Sequence, residues 1–394
     1  MKYLLALLLA LFIAMPRLKA IDITENVEVS LITCGQGSDL YAVFGHSAIH
    51  IYDPVAGVDK VYNYGTFDFN TPNFYVKFVR GQLEYALAVS TFSRFVYGYQ
   101  MEGRWVIRQL LDLEFSESQE LYSFLNNNAL PQNKFYEYDF FYDNCSSRIR
   151  DVFENVLDDR LSYPAAAQDT AATFREMIGL YLGNHPWSDL GIDLALGVPC
   201  DKNAGYREKM FLPDYLMMAI GDAVVERGGK SRPLVLRTQT ILQENPAMHP
   251  DAEKSIAWAF WVFFGLCLLG SIFIKPKKMK WFDVVFFGVT GLLGIVVLLL
   301  WFATDHQATK FNMNILWALP SWLYGAYLVG VGKTESRFFK FHSAFLFFVV
   351  VAWMWIPQTL NTAVIPVVLA LITRSWSWQK QLFTKQTLSD GNKT

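Results

Sequence analysis

Nineteen consecutive residues without a charge, Ile256 to Ile274, constrain this chain more than any other stretch. A helix of about 20 apolar residues crosses the hydrocarbon core of a bilayer. Backbone N–H and C=O groups at that depth find partners only inside such a helix or a closed barrel. Trp281 to Ala303 repeats the pattern, its one charge, Asp283, lying near an end, and Ile315 to Val331 makes a third span. Ser343 to Ile356 and Ala363 to Trp378 are shorter or interrupted by Pro366 and Arg374, and they read as a fourth and a fifth. The expectation for residues 256–378 is an all-α membrane domain of about five transmembrane helices.

Basic residues set the orientation of such a domain. Lys275, Lys277, Lys278 and Lys280 follow the first span, and Lys333, Arg337 and Lys340 follow the third. Arg374, Lys380, Lys385 and Lys393 close the chain, whereas the loops after the second and fourth spans hold only Lys310. The tail, 379–394, is therefore expected in the cytoplasm, and everything before Ile256 on the outer side. At the other end, Lys2 precedes an apolar run from Leu4 to Met15, followed by Leu18-Lys-Ala20. Residues 1–20 read as a secretory signal cleaved after Ala20 or, given Arg17 and Lys19, as an uncleaved anchor. Either exports the soluble region behind it.

The remaining sequence divides into that soluble region, 21–225, and a polar linker, 226–255. Formal net charge is −2 and the soluble part carries no basic stripe, so nucleic acid is excluded as a partner. The four cysteines, Cys34, Cys145, Cys200 and Cys267, show no CxxC spacing, and no metal site is expected. Cys34 and Cys200 would lie in an oxidising compartment, where a disulfide between them is possible. Cys267 sits within an apolar helix as a small core residue.

From Val27 to about Tyr99 the pattern is mostly strands and turns, with Asp53-Pro-Val-Ala-Gly57 turning one alternating strand into the next. Trp105 to Leu113 reads as another strand, and Ser116 to Asn127 as a helix with Ser116 as N-cap and Gln119 completing a capping box. Thr173 to Val225 reads as helical pieces broken at Asn184-His-Pro186 and Val198-Pro199. Within it, Arg207 to Ala219 packs on the core or forms a lid. The soluble domain is thus α+β with a small antiparallel sheet.

Its chemistry centres on Asp139-Phe-Phe-Tyr-Asp-Asn-Cys-Ser-Ser-Arg148. Cys145 falls where an aromatic run gives way to Ile149, Val152, Phe153 and Val156, an apolar helix face. A thiol at a helix start is favoured as a thiolate by unpaired N–H groups and the macrodipole, and those N–H groups suit an oxyanion. Arg148 and Arg150 add positive charge. His46, opening the strand-like Phe44–Tyr52 run, is the candidate base for Cys145 as nucleophile. His50 shares its face and competes. If Tyr52 pairs with Val61, His50 lies opposite Asn63, and Asn63 becomes the candidate to orient the imidazole of His46. A small buried Cys145 and a strand histidine satisfied by its neighbours are the plainer alternatives, and Cys34 is the competing nucleophile. Between spans two and three, Asp305, His306, Lys310, Asn312 and Asn314 form either an interfacial loop or a phospholipid headgroup site.

Several ordered segments carry a resemblance. Leu31-Ile-Thr-Cys-Gly-Gln-Gly37, Phe44-Gly-His46, Tyr62-Asn-Tyr-Gly-Thr-Phe-Asp68, Thr71-Pro-Asn-Phe-Tyr75 and Tyr138-Asp-Phe-Phe-Tyr-Asp-Asn-Cys145 are similar to the Lnb family, the lipoprotein N-acyltransferases of Bacteroides-type bacteria. His185-Pro-Trp187, Ile192–Gly197, Met210–Tyr215 and Asp305-His306 also fit; Gln36 stands where this turn carries proline, and Ser146-Ser147 where an Ala-Thr pair is usual. The resemblance implies a permuted papain-like periplasmic domain with histidine before cysteine, set on an inner-membrane domain. It further implies transfer of an acyl chain from a phospholipid, through a Cys145 thioester, to the α-amino group of a diacylated lipoprotein, without a cofactor. Phe140, Phe141 and Tyr142 would line a site open to the membrane. A membrane-tethered thiol hydrolase and a non-catalytic receptor are the competing functions.

Overall fold

The computed structural model describes residues 22–248, 255–333 and 336–390; the expected signal, 1–20, lies outside them. Alternating apolar residues build the first three strands, β1 (Glu28–Cys34), β2 (His46–Asp53) and β3 (Val58–Thr66). They are followed by helix α1 (Phe74–Arg80), β4 (Glu84–Ser90), helix α2 (Phe92–Met101), β5 (Val106–Leu111), helix α3 (Phe115–Asn128), β6 (Phe135–Glu137) and helix α4 (Cys145–Leu157). Helices α5 (Phe174–Leu182), α6 (Pro186–Ala195) and α7 (Pro213–Asp222) come next, and then strand β7 (Val235–Leu242). The main sheet is seven-stranded and antiparallel, in the order β7-β5-β1-β2-β3-β4-β6. One face packs Leu31, Ile49 and Tyr62 against Ile149, Val152 and Phe153 of α4. The other packs Ile32, Ala48 and Val61 against Phe95 of α2. The N-terminal domain is mixed α/β, and a helical region follows it.

Several local expectations need correction. Residues 226–255 are not a plain linker, because β7 lies at the edge of the main sheet and Val224–Arg227 pairs with Lys230–Pro233. Polar side chains on an edge strand mask the period-2 alternation there. Helices α1 and α2 interrupt the stretch read as strands and turns. Helix α3 begins one residue before Ser116, and it is Glu117, not Gln119, whose carboxylate accepts the N–H of the capping residue, Glu114, at 2.7 Å. Glu117 also holds Arg160 and Arg227, which fixes that choice. The hairpin register is displaced by two residues: Tyr52 faces Asp59 and His50 faces Val61. Asp53 sets this register by accepting the N–H groups of Val55 and Ala56, 2.9 Å each, which tightens the turn. All four cysteines are free, so Cys34 and Cys200 are not paired; they belong to different clusters of the core. Phe211, Leu212 and Leu216 are buried, and the 207–219 segment is core rather than lid.

The membrane domain comprises α8 (Ala257–Phe273), α9 (Lys280–Phe302), α10 (Trp322–Gly330), α11 (Ser336–Val351) and α12 (Ile365–Asp390). Among the described residues, the Pro276–Phe302 segment alone is long and apolar enough by itself to cross a bilayer, and Ala257–Phe273 is a shorter apolar helix. The expected third span is broken: a 3-10 turn, Met313–Leu316, precedes α10, and the helix restarts only after Pro320. Proline in a helix interior removes a hydrogen bond and clashes with the preceding turn. Helix α12 continues past 378, to Asp390, into the stretch expected as a tail. Arg374 is no flanking charge either, since it is fully buried and bonded to Asp283.

A polar seam joins the two parts. Arg175 binds Asp193 at 2.7 Å and Asp201 at 3.0 Å, while Thr359 N–H donates to Asp201 and Gln358 to the Leu196 carbonyl. Gly197 donates its N–H to Ala308 O at 2.8 Å, and a Cβ there would stand 1.8 Å from Lys310 O, so only glycine permits the approach. Leu190 of α6 is packed in the same cluster as Trp317 and Trp322.

Candidate active site

Asn144 decides where α4 begins. Its side-chain oxygen accepts the N–H groups of Ser146 and Ser147 at 2.9 Å each, and its amide donates to Phe140 O and Phe211 O at 2.8 Å. An N-cap of this kind is worth about 0.5–2 kcal/mol. It places Cys145 at the first helical position, as expected from the spacing. The cap also consumes two of the donors expected for an oxyanion. The helix-start donor that Asn144 leaves is the N–H of Cys145 itself. Above it the β3–β4 pairing slips, and Gly65, at φ +83°, stands so that a Cβ would lie 3.4 Å from Cys145 Cβ and 3.9 Å from its N. The bulge and the missing side chain let the strand backbone come close to the helix start.

His46 opens β2, next to the thiol. Its Nε2 is hydrogen-bonded to Asn63 Oδ1 at 2.5 Å, which leaves Nδ1 as the nitrogen that serves Cys145. The expected pair does meet, though in a different register. In the true register Asn63 is diagonal to His46 rather than opposite His50. Burial opposes the imidazolium, but the charge of Cys145 and the hydrogen bonds the ring donates to Cys145 and Asn63 outweigh it and raise the His46 pKa. Burial likewise opposes the thiolate. The charge of His46, its hydrogen bond, the Ser47 N–H and the Ser146 hydroxyl outweigh it, and the Cys145 pKa is lowered. Ser146 Oγ lies 3.8 Å from Sγ and 3.0 Å from Ser47 Oγ, which steadies it there. The two shifts are opposite because each charge stabilises the other.

The competitors separate clearly. His50 lies on the same sheet face, stacked on Phe92 at 4.4 Å, but its Nε2 is bonded to Asp59 at 3.0 Å and burial lowers its pKa. Cys34 is fully buried, and burial pushes its thiol far up despite Arg104 and Tyr99. Arg148 and Arg150 are paired with Asp143 and Asp151.

Two groups escaped sequence reasoning. Tyr99 stacks on His46 at 6.5 Å, and its place was legible in Phe92, Phe95 and Tyr99, spaced as one helix face. Ser47 supplies a backbone donor, for which no side-chain signal exists. Phe141, expected to line the site, is instead core, packed on Phe174 and Phe211. Tyr138 is an aromatic neighbour of Cys145, and its ring lies 3.7 Å from where a Cβ on Gly65 would stand.

The loop after α9 lies in the seam. Asn312 and Asn314 are buried and their amides donate to Leu194 O, Ala195 O and Asp193 O, so as headgroup ligands they are corrected: they brace α6. Asp305 accepts from Gln82 at 2.7 Å, His306 Nε2 donates to Phe78 O at 3.0 Å, and Lys310 donates to Gln307 at 2.9 Å.

Comparison with known proteins gives two family matches. Residues 15–178 match the Lnb N-terminal periplasmic domain, and residues 255–386 match the Lnb transmembrane domain. No curated protein and no solved structure matches the chain.

Proposed function

The chain belongs to the Lnb family, a membrane protein with an N-terminal periplasmic domain, and on that premise we propose that it is a cysteine-dependent lipoprotein N-acyltransferase. The fold we infer for the periplasmic domain is the permuted papain-like one, and the location is the bacterial inner membrane with the C-terminus in the cytoplasm. The observation that carries the reading is the coupled set of Cys145, His46 and Asn63.

In the first step Cys145 Sγ attacks the ester carbonyl of a phospholipid. The S–C bond forms, the ester C–O bond breaks, and the His46 imidazolium gives its proton to the departing alkoxide of the lysophospholipid. The tetrahedral oxyanion meets the Cys145 N–H over Gly65. In the second step the α-amino group of a diacylated lipoprotein attacks the thioester. The N–C bond forms, the S–C bond breaks, His46 takes the amine proton, and the thiolate returns. Such an amine, with an ordinary pKa of about 7.7–8.0, is partly neutral near neutral pH, so a modest base suffices. Asn63 holds the imidazole in place. Asp305, His306 and Lys310 remain the candidates to steady a headgroup. No cofactor enters either step.

The test uses the full chain in phospholipid vesicles with a diacylated lipopeptide. Lysophospholipid release, triacylated product and an acyl adduct on Cys145 are expected, and Cys145→Ala and Cys145→Ser reduce all three to background. Full activity in both variants removes the nucleophile from Cys145. Release of fatty acid in place of acylated peptide turns the reading to a thiol hydrolase.

A further inference from the structure

Helix α1 is the anomaly of the N-terminal domain. Phe74 is buried, but Tyr75 is 76 % exposed, and Val76, Phe78 and Val79 are each at least half exposed. Apolar side chains grouped on one short helix mark a surface with a partner. Its position identifies the partner. Helix α9 has 23 residues, about 35 Å at 1.5 Å per residue, slightly more than the roughly 30 Å hydrocarbon core. Phe302, its last residue, therefore reaches the edge of the bilayer. Just beyond it, Asp305 N–H donates to Arg80 O at 2.9 Å and His306 Nε2 to Phe78 O at 3.0 Å. The last turn of α1 is thus tied to the end of a membrane span. Lys77 and Arg80 in that turn suit anionic headgroups.

A second observation runs inward from α1. Phe74 and Phe69 lie 4.9 Å apart between ring centres, Phe69 and Phe67 5.0 Å, Phe67 and Tyr85 5.4 Å, and Tyr85 stacks on Tyr138 at 4.1 Å. Tyr138 stands beside Gly65 and Cys145. Phe69 is 58 % exposed, whereas Phe74 and Tyr85 on either side of it in this line are buried, at 8 % and 9 %. The rings make a continuous apolar wall from the exposed helix to the thiol.

We infer that α1 is a membrane seat, with its outward face lying in the phospholipid interface, and that the aromatic wall behind it guides an acyl chain of that leaflet to Cys145. The guiding role rests on the acyl-transfer reading; the seat does not. Residues 305 and 306 belong to the seat as braces, and the seam at Gly197 fixes its height relative to the spans.

The test places the full chain in vesicles of phosphatidylethanolamine and phosphatidylglycerol containing a phospholipid with a diazirine near the glycerol end of one acyl chain. Photolysis and peptide mass spectrometry are expected to find adducts within 74–80 as well as on the spans. Span adducts with none in 74–80 overturn the seat. The Tyr75→Glu/Val79→Glu double variant is expected to lose those adducts and to release lysophospholipid from vesicles at least about tenfold more slowly. Acylation of its Cys145 by water-soluble p-nitrophenyl butyrate is expected to stay within about twofold of the parent. Equal losses toward both substrates overturn the guiding role, since the helix then supports only the fold. If the parent chain never acylates Cys145, the acyl-transfer reading falls with the guiding role, while the photolabelling still decides the seat.

Discussion

Asp283 and Arg374, at one end of the membrane helices, are both fully buried and joined by two hydrogen bonds of 2.7 Å, with Trp378 donating a third to Asp283 at 2.9 Å. Cys145 and His46, in the periplasmic domain, are also a pair of opposite charge, but Cys145 keeps 8 % of its surface and each member can exist in neutral form. The first pair has every strong donor and acceptor engaged and nothing to exchange. The second has one proton for two sites. Buried charge by itself therefore does not mark chemistry. Mutually opposed pKa shifts beside an accessible nucleophile do.

The largest effect expected outside the nucleophile sharpens this contrast. His46→Ala should slow acyl transfer by about 10²–10⁴-fold, the usual worth of general acid–base help, with thermal stability little changed. His50→Ala should leave the rate near that of the parent. The reverse order in a lysophospholipid-release assay would move the base along the strand.

The membrane pair should respond in the opposite currency. Asp283→Asn leaves Arg374 without its anion, and breaking a buried pair typically costs about 3–5 kcal/mol. The expected outcome is a lower unfolding temperature in detergent, with the rate per folded molecule unchanged. Asp283→Leu combined with Arg374→Met should recover most of the loss. A double variant as unstable as the single one would mean that the pair does more than satisfy itself.

A smaller effect is expected at Asn63. Losing one hydrogen bond to the imidazolium is worth about 1.5–3 kcal/mol, so Asn63→Ala should slow transfer roughly ten- to a hundredfold. The pH dependence probes the same coupling. Because the Cys145 pKa is lowered, alkylation by iodoacetamide should persist at pH values below the ordinary thiol range near 8.5, and vanish once the thiolate protonates. Because the His46 pKa is raised, the imidazolium that supports the thiolate is lost only as pH climbs above the ordinary histidine range. Removing it in His46→Ala should move the alkylation midpoint upward. An unmoved midpoint would uncouple the two residues.

Much of this was legible in the sequence, for definite reasons. The apolar run from Ile256 and Pro186, which opens α6, act locally, through backbone satisfaction and fixed φ, so sequence pattern finds them. Asn144 before Cys145 is likewise local: a cap and a helix start need only neighbouring residues. Helices α1 and α2 were missed because Phe74–Arg80 and Phe92–Met101 are short and rich in aromatic and β-branched residues, which serve strands equally well.

What the chain by itself determined is the choice of chemistry: a thiol at a helix start, a histidine at a strand start, and apolar length enough to enter a membrane. The tertiary structure alone decided which groups meet. The Asp53 turn set the register that puts Asn63 diagonal to His46, and the β3–β4 slip laid Gly65 over Cys145. Packing turned Asn312 and Asn314 inward, and joined Arg374 to Asp283 across 91 residues of chain. Such pairings depend on turn length and burial summed over the whole fold. A residue's identity states what it can donate, accept or bury, and its partner is set by which distant surfaces exclude water together.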